Sequence, residues 1–520
     1  MAPNIILIMT DDMGYSDLGC FGGEIPTPNL DKLAENGLRM THFYNAARCC
    51  PTRASLLTGL YPHQAGMGDM VEGRLAPDSS YLPAYAGYLP NTSVTLAEML
   101  KIAGYHTMIS GKWHVGDEPE HWPHNRGFDD VFTLINGATN YFTLAPWMNE
   151  NQQILVLDGT DTVVPGPDFY LTNAITEHAL EFINNRPAEK PFFLYLAHTA
   201  PHWPLHALPE DIELFKGKYM EGWEALRQQR FDHMKQLEIV PPQATLPDQY
   251  NWRNLTPDWD SLSQQQKELF DARMAVHAAM IYRMDQGIGE IIATLEENGE
   301  LENTLIMFLS DNGATKATIY LVEGWVVDRS GPVGSARSFD SQGPLWAQAS
   351  NTPFSLYKSQ TAEGGIRTPF IAHWPAEIKA GSRNDQPAHV IDIMNTLVDI
   401  SGGSYPETIN GYEITSTEGI SLKGVFSGKS ILADRYIFFE HMGNKAVSFG
   451  KWKLLYINSS HDNPQQTWKL FNLETDPAEL HDLTEQYPEM AREMKVRYQE
   501  WAARVDVYEP YDSLLLARPL

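Results

Sequence analysis

The stretch Asn4-Ile5-Ile6-Leu7-Ile8-Met9-Thr10-Asp11-Asp12 decides the fold. Ile5–Met9 is a short, continuous apolar run rich in isoleucine. That is the pattern of a strand buried on both faces, and such strands belong to parallel sheets covered by helices. The run ends at two carboxylates. In open α/β sheets, ligands bind outside the carboxyl ends of the strands, so Asp11 and Asp12 stand where a ligand would be met.

Working outward, the same rhythm recurs. Pro28–Gly37 reads as a helix with Leu30, Leu33 and Ala34 on one face and Gly37 as its stop. Thr95–Ala103 reads as a second helix and His106–Ile109 as the next strand. Asn173–Asn185 is a helix ended by Pro187, Phe192–Leu196 a strand, Arg273–Asn298 a long helix and Leu305–Leu309 another buried strand. Alternating strands and helices predict a large α/β domain with a mixed, mostly parallel sheet between helices. Residues 204–270 and 314–356 break the rhythm and read as functional loops or lids. After about residue 425 the pattern changes. Tyr436–Glu440, Ala446–Phe449, Lys453–Ile457 and Trp468–Asn472 read as short strands, and Pro488–Ala503 as an amphipathic helix. The expected organisation is an α/β catalytic domain over 1–425 and an α+β subdomain over 426–520, a small antiparallel sheet with one packed helix.

Composition bounds the partners. The 520 residues are 43% hydrophobic, ample for a sizeable core, and carry a net charge of −28. That balance argues against nucleic acid and anionic membranes as partners. A small anionic ligand would need a local cationic site. No apolar run is long enough to span a bilayer and no signal peptide is legible, so the expected location is cytoplasmic, unless Met1-Ala2 replaced a removed leader. Three cysteines, Cys20, Cys49 and Cys50, form neither a disulfide framework nor a zinc motif.

Every strand in the series is followed by ionisable residues. Lys112 and His114 follow His106–Ile109, His198 and His202 follow Phe192–Leu196, and Asp311 and Asn312 follow Leu305–Leu309. A polar residue after a strand is ordinarily just the start of a loop; recurrence at one sheet edge is more informative. Asp11, Asp12, Asp311 and Asn312 form an all-oxygen set suited to Ca²⁺ or Mg²⁺. Helix capping for Asp11-Asp12 and a plain Asn-Gly turn are the bland alternatives.

The stretch Cys49-Cys50-Pro51-Thr52-Arg53-Ala54-Ser55-Leu56-Leu57-Thr58-Gly59 is the sharpest signal. Pro51 suits the first position of a helix and Gly59 its end. Cys49 then lies at the helix N-terminus, where backbone N–H groups favour an anion, with Arg53 one turn on. A buried structural thiol before a short helix explains the same residues.

This stretch resembles the signature of the type I sulfatases of the alkaline phosphatase superfamily. The likeness extends over nearly the whole chain through PNIILIMTDDMGYSDLG, TPNLDKLAENG, GKWHVG, APHWP, SDNG and YKSQTAEGGIRTP, and is greatest to bacterial cytosolic arylsulfatases. It implies an alkaline phosphatase-like fold and a sulfuric ester hydrolase. Cys49 matches the cysteine that a formylglycine-generating enzyme oxidises to Cα-formylglycine, with Pro51 and Arg53 as recognition residues. A thiol would form a stable adduct with sulfur, whereas an aldehyde hydrate offers an oxygen nucleophile and can collapse to release sulfate. Asp11, Asp12, Asp311 and Asn312 match the metal ligands, calcium being the usual ion, with residue 49 and a sulfate oxygen completing the shell. Arg53 matches the residue that steadies the hydrate, and Lys112 and Lys358 those that hold sulfate oxygens. His114 matches the base that breaks the hemiacetal, and His202 the acid that protonates the leaving alcohol and contacts substrate. His198 reads as a wall residue. Cys50, and Thr52 where serine is common, depart from the family pattern.

The reading is therefore hydrolysis of aryl or alkyl sulfate monoesters. A phosphonate monoester or phosphodiester hydrolase shares the nucleophile, metal site and fold and differs in the loops at 60–95, 204–270 and 314–356. A binding relative with a decayed site is the third reading. The completeness of the motif set speaks against it.

Overall fold

In the computed structural model, which describes residues 2–71, 82–149, 152–248, 258–429, 432–458 and 467–508, Asn4–Thr10 is the central strand of an eleven-stranded sheet. Its residues alternate between two cores. Ile6 and Ile8 enter one hydrophobic layer, and Ile5, Leu7 and Met9 enter the other. That two-sided burial is why the run carries no polar residue.

The strands in chain order are β1 (Asn4–Thr10), β2 (Leu38–Tyr44), β3 (His106–Lys112), β4 (Asp130–Leu134), β5 (Val156–Asp158), β6 (Asp161–Thr162), β7 (Phe192–Ala197), β8 (Thr304–Ser310), β9 (Arg367–His373), β10 (Ser382–Asn384) and β11 (Ala388–His389). Their order across the sheet is β10-β2-β9-β8-β1-β7-β3-β4-β5-β6, with β11 also on β2. The pairs around β1, β3, β7 and β8 are parallel, and β9 runs antiparallel to both β2 and β8. The sheet is thus mixed and mostly parallel, as expected. Helices Pro28–Glu35, Leu171–Asn185 and Gln264–Glu297 cover one face; Cys49–Thr58, Leu96–Ile102 and Asp392–Ser401 cover the other.

Several boundaries differ from the sequence reading. The long helix begins nine residues before Arg273, at Gln264, where Ser263 and Gln266 form a capping box. The signature helix begins at Cys49, so Pro51 is its third residue; a missing N–H is harmless anywhere in that first turn. The reading of 204–270 as loop is corrected. Pro209–Phe215 and Trp223–Gln236 are helices, and Trp223 packs edge-on against Trp259 at 4.7 Å and Trp346 at 5.6 Å. Residues 249–257 of that segment, and 72–81 of the 60–95 loop, lie outside the described residues. In 314–356, Gly343–Ser350 is a fully buried helix.

The strands Tyr436–His441, Asn444–Phe449, Trp452–Tyr456 and Lys469–Asn472 form an antiparallel sheet. One face receives Met494, Tyr498 and Trp501 of the helix Pro488–Arg504. The other shares a core with Tyr44, Ala47, Ala362 and Ile366 of the large domain. Among the described residues, no helix is long and apolar enough to cross a membrane.

Candidate active site

The site grows out of register. Thr10 of β1 lies opposite Ser310 of β8, so the pairs that follow, Asp11-Asp12 and Asp311-Asn312, arrive side by side. The Asp12 N–H donates to Asp311 Oδ1 at 3.2 Å, with Asp12 in the left-handed region at φ 64°. Aspartate tolerates that conformation better than most residues. β3 delivers Lys112 as its last residue, and Lys112 Nζ lies 2.5 Å from Asp11 Oδ2. Lys358 Nζ lies 2.5 Å from Asp12 Oδ1, which also accepts from Asn312 Nδ2 at 2.6 Å.

Cys49 opens the helix Cys49–Thr58, whose N-terminus no side chain caps. Arg53 projects one turn on and is completely buried. Its Nη2 lies 3.0 Å from Asp311 Oδ2, and its Nη1 donates to the Lys112 carbonyl at 2.9 Å and to Tyr195 Oη at 3.4 Å. Thr52 Oγ1 accepts from the Ala46 N–H at 2.9 Å, so this departure from serine keeps a working hydroxyl. His114 sits beside Cys49 and Cys50, their ligand atoms all within 4.8 Å. Gly137 makes room for it: a Cβ there would lie 2.5 Å from His114 Cε1. His202 Nε2 lies 3.6 Å from Asp12 Oδ2, and its Nδ1 meets the Trp203 carbonyl at 2.6 Å.

All ten sequence-derived site residues therefore come together at one sheet edge. His198 does not join their contacts. It is fully buried with neither ring nitrogen hydrogen-bonded, and burial pushes its imidazole down to about 3, so it is a neutral wall residue. Tyr195 and Gly137 escaped the sequence reading. Tyr195 lies inside an apolar strand and Gly137 inside a loop, and neither position carries a local signal.

The electrostatics suit an anion. Three carboxylates, Asp11, Asp12 and Asp311, face three cations, Arg53, Lys112 and Lys358, so a bound divalent cation would leave the cluster net positive. Burial raises the Asp11 carboxyl, but Lys112, with His202, Arg53 and Lys358, outweighs it and holds the group below the usual carboxylate range. Burial and the neighbouring Asp11 push Asp311 upward. The Cys49 thiol is lowered by its hydrogen bond with Cys50, by Lys112 and Lys358 and by His114, against burial. Burial lowers His202, and Asp12 and Asp11 act the other way.

Three buried oxygens in this cluster have no hydrogen-bond partner: Asp11 Oδ1, Asp12 Oδ2 and Asn312 Oδ1. Unsatisfied acceptors on three of the four expected ligands are what a hard, oxygen-loving cation would satisfy. The donor set fits such an ion.

A family model described as Sulfatase matches residues 3–403, and one described as N-sulphoglucosamine sulphohydrolase, C-terminal, matches residues 356–504. The chain belongs to the sulfatase family. This sulfatase is a sulfuric ester hydrolase, as the motif resemblance implied. It is 35% identical to an uncharacterized sulfatase of Schizosaccharomyces pombe, over 95% of this chain and 92% of that one. It is 37% identical to an arylsulfatase of Klebsiella aerogenes, over 82% and 92%. The crystal structure of Ps i-CgsB in complex with k-i-k-neocarrahexaose superposes with a TM-score of 0.69 at 26% identity, over 98% of this sulfatase and 94% of that chain. The phosphonate monoester hydrolase of Agrobacterium radiobacter shares the fold, with a TM-score of 0.57 at 18% identity, over 97% and 96%.

Proposed function

We propose that this sulfatase hydrolyses aryl or alkyl sulfate monoesters using Cys49 matured to Cα-formylglycine and Ca²⁺, or alternatively Mg²⁺, held by Asp11, Asp12, Asp311 and Asn312. One observation carries the reading: three buried ligand oxygens without a hydrogen bond sit beside a cysteine flanked by Lys112 and Lys358. When bound, the cation supplies charge that polarises a sulfate oxygen and activates a hydroxyl at residue 49. Formylglycine supplies an oxygen nucleophile where a thiol would be trapped.

The chain's own residues do the rest. Arg53 bridges Asp311 and the Lys112 carbonyl, which fixes the geometry around residue 49. Lys112 and Lys358, now paired with Asp11 and Asp12, would bind sulfate oxygens, and those two carboxylates would hold the cation. His114, beside residue 49, takes the proton whose loss releases sulfate. His202 donates a proton from Nε2 to the leaving oxygen. Its Nδ1 faces a carbonyl, which only accepts, so Nδ1 carries a hydrogen and Nε2 is the exchanging atom.

The test uses full-length protein made together with a formylglycine-generating enzyme. The tryptic peptide spanning residue 49 should show sulfur replaced by an aldehyde oxygen. That protein should turn over nitrophenyl sulfate at least roughly a hundredfold better than a nitrophenyl phosphonate, lose activity to a chelator and regain it with Ca²⁺. Preference for the phosphonate would make the phospho-hydrolase reading correct. An intact thiol in fully active protein would refute the formylglycine route.

A further inference from the structure

Beside His202 stands a group of aromatic rings that the chemistry above leaves unused. Trp203 follows His202, with the ring centroids 4.6 Å apart. Trp147, Trp325 and Phe339 reach the same place from two other loops. Trp147 meets Trp203 edge-on at 5.0 Å and Trp325 at 4.7 Å. Trp203 and Trp325 lie nearly parallel at 6.0 Å, and Phe339 closes the group at 5.8 Å from Trp325. Phe339 is buried, yet all three indoles are only half-buried. Partly open indoles beside a reaction centre form an apolar surface with specific geometry for a planar group.

The wall is held in place by its polar neighbours. The Val326 N–H donates to the Trp147 carbonyl at 3.1 Å, which ties two of the loops together. Asn140 donates to the Ala336 carbonyl and accepts from the N–H groups of Phe142 and Thr143. Gln152 Oε1 accepts from the N–H groups of Trp147 and Met148, and Arg329 donates to the carbonyls of Ile319 and Val322. Among the described residues, Asn140, Gln152 Oε1 and Arg329 thus brace the backbone around the wall.

We infer that Trp147, Trp203, Trp325 and Phe339 form the leaving-group subsite of this sulfatase, and that it takes a planar aromatic group. The inference rests on the reading above that His202 faces the leaving oxygen. Trp325 is the informative position, because its ring packs on Trp147, Trp203 and Phe339 of the wall and it holds no role in the chemistry proposed above.

Matured full-length protein is assayed on nitrophenyl sulfate, a linear alkyl sulfate and a monosaccharide sulfate. Trp325→Ala should raise KM for nitrophenyl sulfate roughly tenfold and change kcat by less than about twofold. Inhibition by inorganic sulfate should be unchanged, and Trp325→Phe should restore most of the loss. A second measurement needs neither turnover nor that variant. In Cys49→Ala protein, nitrophenyl sulfate should quench tryptophan fluorescence saturably, and the monosaccharide sulfate should not. An unchanged KM in folded Trp325→Ala, equal losses on all three substrates, or a wild-type preference for the monosaccharide sulfate overturns the inference. A matured wild type that cleaves no sulfate ester would instead refute the proposed function, and the quenching result would still decide the subsite.

Discussion

His202 shows how much one contact can settle. Its Nδ1 lies 2.6 Å from a backbone carbonyl, so the imidazole tautomer is fixed and Nε2 points toward the carboxylate cluster. An acid placed there matters most when the leaving alcohol cannot depart unaided. His202→Asn should slow phenyl or alkyl sulfates by about a hundredfold or more, and nitrophenyl sulfate by about tenfold or less. A plot of log kcat against leaving-group pKa should therefore steepen in the variant. Parallel plots for the two proteins would remove His202 from that role. Seven of the ten site residues were legible because they follow a strand, and Cys49 and Arg53 because they sit in the first turns of one helix; Lys358, in a loop, was carried only by the motif resemblance. Tyr195, Gly137 and the meeting of Trp147 with Trp325 were not legible. Their proximity exists only after distant loops have packed, and no local pattern records it.

At the scale of elements, continuous apolar runs were easy to read, since β1, β7 and β8 are buried on both faces and contain almost nothing else. β2 and β9 were missed for a physical reason. β2 carries Arg39, Thr41 and His42, and β9 carries Arg367 and Pro369, so neither shows a clean run. Their polar groups are satisfied by each other's surroundings, as where Arg367 Nε donates to the Thr41 carbonyl at 2.8 Å. The helix Trp223–Gln236 was missed because its buried residues include arginines, which read as solvent-facing. Arg230 is completely buried, 2.7 Å from both Asp17 Oδ1 and Glu24 Oε2. It therefore braces the loop that leads out of Asp11 and Asp12, and the segment is a buttress and not a lid. Arg230→Met leaves two carboxylates short of their counter-charge and should cost about 3–5 kcal/mol of stability, seen as a lower urea midpoint. KM for nitrophenyl sulfate should stay within about twofold in the folded fraction. A large KM change with unaltered stability would restore the lid reading. Arg230→Lys should recover only part of the loss, because one ammonium cannot reproduce the guanidinium fork.

At the scale of the whole molecule, the question is how the C-terminal sheet is joined to the catalytic layers. Beyond the shared apolar core, the junction holds a buried charge cluster. Lys453 Nζ lies 2.7 Å from Glu363 Oε1 and 2.8 Å from Glu479 Oε1, all three side chains being nearly inaccessible. Glu363 also pairs with Arg367 at 3.1 Å and accepts from Tyr44 Oη at 3.1 Å. Two carboxylates compete for one ammonium, and Glu363 has the further cation. Glu363 is accordingly held down to about 2 against the cost of burial, chiefly by Lys453 and Arg367, and burial pushes Glu479 up to about 7 despite Lys453. The folded chain thus keeps a proton on Glu479 that the unfolded chain gives up near 4.5. A raised folded value means that this contribution is complete below about pH 4.5 and disappears as pH rises through about 7. Glu479→Gln is neutral at every pH and has nothing to lose. Wild type should therefore lose stability relative to Glu479→Gln between pH 5 and pH 7.5, read as converging or crossing unfolding midpoints in urea. Identical pH slopes for the two proteins would show that Glu479 is already ionised at pH 5. Tryptophans occupy both cores, so a single fluorescence transition that moves with pH as one unit would show that this cluster couples the C-terminal sheet to the layers that hold the site.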